Sequence, residues 1–172
     1  MLKPLEQFIC DRCGQVIEKP GDGWVEWLTV KENEFRSYKG KGFKIVHHSP
    51  KSPLKSGSRG ASCYHYDRYP NRSDNHLEYF LGENGMVLLL SNLDPGEAFT
   101  EEESLPLITD VREYIDFMRR LTIPYYEEAR KYWADAKNDG YFDGANELWT
   151  YLPSNLKTLI ETYGDEENED EE

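Results

Sequence analysis

Cys10-Asp-Arg-Cys13-Gly14 decides how the first half of this chain is to be read. Two thiols three residues apart, followed by a glycine that tolerates a tight turn, suit a shared metal ion or a redox pair better than a disulfide framework. The chain holds 3 cysteines in 172 residues, so they cannot all pair with one another. A redox pair of the thioredoxin type needs a helix starting at the motif, and no helical pattern follows Gly14. The metal reading leads, ahead of the plain alternative of three ordinary cysteines beside hydrogen-bonded histidines.

The other donors must come from further along. Cys63 supplies a third sulfur, and His47-His48 ends the β-rich run Lys41 to His48. Alternation puts Phe43, Ile45 and His47 on one face and Lys44, Val46 and His48 on the other, and both faces contain apolar residues. The expected set is Cys10, Cys13, Cys63 and, at the strand end, His48, with His47 as its alternative and His65 as a competitor two residues after Cys63. Four such donors suit a closed, tetrahedral and structural zinc site.

Cys10-Asp-Arg-Cys13-Gly14 also resembles the zinc knuckle of zinc-ribbon and treble-clef proteins. The resemblance covers those five residues and implies a turn that presents both thiolates to one zinc ion. Zinc-ribbon proteins usually add a second such pair; this chain has none, so Cys63 and a histidine must complete the site. In general character the chain is similar to small bacterial proteins without an assigned activity, which implies no function. The histidine pair followed by Asn71 or Asn75 and by His76 at an expected helix start faintly resembles the HNH nuclease arrangement, yet no second histidine follows along Leu77-Glu-Tyr-Phe80.

Outward from the motif, Gly23-Trp-Val-Glu-Trp-Leu-Thr-Val30 reads as a strand after the turn residues Pro20-Gly-Asp-Gly23, and Lys41 to His48 as a second. Residues 49–62, rich in Ser, Gly, Pro and Lys, read as a mobile basic loop. Helical spacing takes over later. A helix is expected at Met86 to Leu93, and an antiparallel pair follows on the stripes Leu107, Val111, Ile115, Met118, Leu121 and Tyr125, Ala129, Tyr132, Trp133, Ala136. Two short helices close the chain, one around Ala145 to Leu152 and one opened by Ser154 that carries Leu156, Leu159, Ile160 and Tyr163. Asp110 with Glu113 fits a capping box, Pro124 a first helical turn and Gly140 a stop. The predicted fold is α+β: a zinc-stabilised β module over 1–75, a helical bundle over 76–164 and a disordered acidic tail at 165–172.

Charge is split in the same sense. Residues 1–75 carry 13 basic and 9 acidic side chains, whereas 76–172 carry 7 and 24, within a total of −13. Lys31 to Arg72 holds ten Lys and Arg against three acids, interleaved with Tyr38, Phe43, Tyr64, Tyr66 and Tyr69, a pattern that could contact phosphates and stack bases. Solvation of a strand surface is the plainer reading, and the acidic excess repels polyanions at long range. No apolar run approaches the roughly 20 residues of a membrane span, and the start lacks a signal-peptide pattern, so a cytoplasmic address is expected.

These observations favour a non-catalytic, zinc-binding interaction or regulatory protein with a protein partner. The alternatives are a nucleic-acid binder using residues 31–72, and a metal-dependent hydrolase or HNH-like nuclease. No glycine-rich phosphate loop, serine nucleophile elbow or helical HExxH occurs.

Overall fold

Alternating apolar residues and two turns build a small sheet, described here from a computed structural model covering residues 1–31, 38–54, 62–96 and 107–164. Strands β1 (Phe8–Ile9) and β2 (Val16–Ile17) form a short antiparallel hairpin around the Cys10 to Cys13 turn. Strands β3 (Gly23–Lys31), β4 (Tyr38–His47) and β5 (Arg72–His76) form a second antiparallel sheet in the order β4-β3-β5. Trp24 pairs with Val46 on one side and His76 on the other, and the β3–β4 register shifts between Glu26 and Leu28. Strand β5 is absent from the sequence-based expectation, and His76 closes it where a helix start was expected. A 3₁₀ turn, Leu77–Phe80, follows.

Six helices complete the described fold: α1 (Gly82–Leu93), α2 (Val111–Thr122), α3 (Tyr126–Ala129), α4 (Trp133–Asn138), α5 (Glu147–Tyr151) and α6 (Pro153–Tyr163). Asp110 caps α2 as its sequence suggests, its carboxylate accepting from the N–H groups of Arg112 (2.9 Å) and Glu113 (3.0 Å). The box is not closed reciprocally, because Glu113 accepts from Gly42 N–H at 3.1 Å and so ties α2 to β4. Asp110→Ala is expected to cost about 1 kcal/mol in urea unfolding, the usual worth of such a cap. Pro124 lies in the turn before α3 instead of within a helix, beside Tyr125 in the left-handed region at φ 70°.

The buried face of α2 differs from the expected stripe. Tyr114, Phe117 and Leu121 point inward while Val111 is exposed. Aromatic contact decides this, since Phe43 on the sheet meets Tyr114 at 4.9 Å and Phe117 at 5.1 Å between ring centroids.

Two apolar clusters result. The first joins Phe8, Ile17, Val25 and Ile45 to Leu77, Phe80 and Leu89 and to the inner face of α2. The second holds Tyr126, Ala129, Tyr132 and Ala136 against Leu156, Leu159, Ile160 and Tyr163 of α6. The change of charge at residues 75–76 therefore does not coincide with the change of core, which falls between Leu121 and Tyr126. Residues 55–61 of the expected basic loop, Glu101-Glu-Glu103 and the acidic tail lie outside the described residues. Among the described residues no helix is long and apolar enough to cross a membrane.

Candidate metal centre

The turn between β1 and β2 is closed by its own backbone. Cys10 N–H donates to Gln15 O at 3.0 Å and Gly14 N–H to Cys10 O at 2.9 Å, with Gly14 at φ 73°, where a side chain would be strained. Arg12 N–H donates to Cys10 Sγ at 3.4 Å. Both thiols thus face the same way, and the buried pair Phe8 and Ile17 anchors the hairpin below them.

The other two donors arrive from distant segments. His47 ends β4 on the face shared with Phe43 and Ile45, which is the face the helices cover. Its Nε2 lies 3.1 Å from Val16 O. A carbonyl can only accept, so Nε2 carries the proton and Nδ1 turns its lone pair toward the sulfurs. Cys63 is fixed by Ser52, whose hydroxyl accepts from Cys63 N–H and donates to Cys63 Sγ, each at 3.1 Å. His47 Nδ1 stands 3.5 Å from Cys13 Sγ and 3.7 Å from Cys63 Sγ.

The ligating atoms of Cys10, Cys13, His47 and Cys63 all lie within 4.8 Å of one another and could hold a metal ion. Cys10 is 1% exposed, Cys63 0% and His47 6%. Burial, reinforced by the neighbouring sulfurs, pushes the Cys13 thiol up to about 12, and burial raises Cys63 as well. Thiols in this setting keep their protons until a cation offsets the charge of the thiolates.

Of the sequence-predicted donors, Cys10, Cys13 and Cys63 meet, and the alternative, His47, joins them in place of the preferred His48. His48 lies on the opposite face, stacked on Trp24 with ring centroids 4.7 Å apart and planes 9° from parallel. His76 meets the same indole edge-on at 4.3 Å. The alternation gave no signal for this choice, because Val46 on the His48 side is as fully buried as Ile45 on the His47 side. His65 is exposed beside Tyr66 instead of joining the sulfurs, because residues 62–66 are not an extended strand and two-residue alternation does not apply.

Sequence reasoning missed Glu26. This carboxylate is fully buried in β3 and accepts from the backbone N–H groups of His65 and Tyr66, holding down the segment that follows Cys63. An acid between Val25 and Trp27 in a β-rich run was the available signal. Burial holds its carboxyl above the usual glutamate range, against the pull of the two N–H donors. A raised carboxyl stabilises the fold most below the unfolded pKa of about 4.3 and loses that contribution as pH rises through the folded value. The stability of wild type relative to Glu26→Gln is therefore expected to fall between pH 4 and pH 7 in paired urea titrations; a difference that is flat or rises would contradict it.

The basic stretch is partly consumed by the fold. Phe43 and Tyr66 are buried, Arg72 pairs with Asp74 at 2.9 Å and covers the Tyr64 ring, and Lys51 reaches Asp22 at 3.9 Å. Tyr69 remains exposed, while Lys55 and Arg59 lie outside the described residues. Comparison of the chain with protein-family models, with curated proteins and with solved structures finds no match.

Proposed function

We propose that this chain is a zinc-stabilised interaction or regulatory protein in which the ion has a structural role. The observation that carries the reading is the convergence of four protein donors, three sulfurs and one imidazole, from three separate segments at a largely buried point. Zinc–sulfur bonds of about 2.3 Å and zinc–nitrogen bonds of about 2.0 Å at tetrahedral angles put the nitrogen about 3.5 Å from each sulfur. The separations of His47 Nδ1 from Cys13 and Cys63, 3.5 and 3.7 Å, match that edge length. A catalytic zinc would keep one position for water, and here protein atoms supply all four.

The residues divide the work simply. Cys10 and Cys13 form the preformed half of the grip, His47 brings the end of β4, and Cys63 brings the segment held by Ser52 and Glu26. Zinc bound there would supply a cross-link between segments that the sequence separates by 53 residues, from Cys10 to Cys63.

Elemental analysis of the purified full chain tests the reading. One zinc per chain is expected for wild type and for His48→Gln, and a loss of at least tenfold in zinc affinity for His47→Gln. Equal retention of metal by both variants, or a folded wild type without metal, would overturn it.

A further inference from the structure

Helix α1 is apolar on more than one side. Leu89 and Gly85 are buried in the first core, yet the outward line of the helix runs Glu83, Val87, Leu90, Asp94 at helical spacing. Val87 is 63% exposed, Leu90 52% and the adjacent Met86 37%. Leu107, whose N–H donates to Asn92 O, is 38% exposed at the C-terminal end of the same helix. A surface helix ordinarily turns polar residues to solvent, and a line of large apolar side chains at the centre of its outer face departs from that pattern. Val87 and Leu90 lie between two exposed acids, Glu83 and Asp94, and in sequence residues 77–110 contain eight acids and no Lys, Arg or His.

We infer that the outer face of α1 docks a cationic amphipathic helix of a partner protein, with apolar residues of the partner seated on Val87 and Leu90 and its basic residues meeting Glu83 and Asp94. The charge pattern selects this occupant over a second copy of the chain. Antiparallel self-pairing would set Glu83 of one copy beside Asp94 of the other, between two halves that each carry a large acidic excess. Apolar contact at the centre with complementary charge at both ends is the arrangement that gives a helix-in-groove complex its affinity and its register. This inference rests on the reading of the chain as an interaction protein and names the class of partner.

The probe is a synthetic 18-residue peptide with Leu at positions that share one helical face and Lys elsewhere. It is titrated into the ¹⁵N-labelled full chain beside two controls, a scrambled peptide of equal composition and one with Glu replacing Lys. The amphipathic lysine peptide is expected to bind at least tenfold more tightly than either control. Its amide shifts should centre on residues 83–94 and Leu107. Val87→Ser with Leu90→Ser should weaken it at least tenfold with the circular dichroism spectrum unchanged. Equal binding of the scrambled peptide, affinity unmoved by the double substitution, no binding, or a dimer that protects Val87 and Leu90 would overturn the inference. Zinc is counted in the same samples, so one zinc per chain without peptide binding sinks this inference and leaves the metal reading standing.

Discussion

Cys63→Ser is expected to purify with less than a tenth of the wild-type metal and to lose the first core while the second retains helical structure. The expected size follows from the source of the stability. In the proposed structural role, zinc would contribute on the order of 10 kcal/mol to folding, comparable with the roughly 5–15 kcal/mol that separates a whole domain from its unfolded state. Cys63 and Cys10 are also core residues, packed with Phe8, Ile17 and Ile45, so the strands and the grip are lost together. Near-ultraviolet circular dichroism separates the two outcomes, because Trp24 and Trp27 pack against the first cluster and Trp133 against the second. A Cys63→Ser protein that melts cooperatively at the wild-type temperature would rule out a structural ion.

Arg120→Ala is expected to cost about 3–5 kcal/mol in urea unfolding, the usual penalty for leaving buried charges without their partner. Arg120 is buried at the junction of the two cores. Its Nε and Nη2 grip Glu127 at 2.7 and 2.9 Å, Nη1 reaches Asp11 at 2.7 Å, and Nη2 also meets Ile9 O at 3.3 Å. Glu127 in turn accepts from Ile9 N–H, and Asp11 from Ile45 N–H. Burial opposes the charge on Asp11, and the Arg120 guanidinium outweighs it, holding that carboxyl below its ordinary value. Removing the arginine leaves these two largely buried carboxylates, which the Cys10–Cys13 turn, β4 and α3 all use, with their backbone N–H donors and only the more distant, half-buried Arg130, 3.7 Å from each. Pairing Arg120→Met with Glu127→Gln should recover part of the loss, since a neutral amide tolerates burial better than an unpaired carboxylate. A single-variant cost below 1 kcal/mol, or strict additivity in the pair, would show that the network does not couple the knuckle to the helices.

Local features were legible before the structure. The Cys10-Asp-Arg-Cys13-Gly14 turn, the strand from Gly23, the cap at Asp110 and the inward Leu156, Leu159, Ile160 and Tyr163 of α6 all follow from contacts among residues close in sequence. Strand β5 was not legible, because Arg72-Ser-Asp-Asn-His76 has none of the β-branched or aromatic residues that mark a strand. It is a strand because β3 offers it a free edge. The role of Arg120 was not legible either, since nothing near it in sequence announces that Asp11, more than a hundred residues earlier, lies against it.

The sequence by itself determined that three sulfurs and a histidine at the end of β4 were the donors worth bringing together, and that the later half would be helical. Only the tertiary structure decided between His47 and His48, which differ by one residue and therefore point to opposite faces of the sheet. The alternation of a strand says that two faces exist. Which of them is closed over depends on where α1, α2 and the knuckle come to rest, and that is a matter of distant surfaces meeting, which no local spacing encodes.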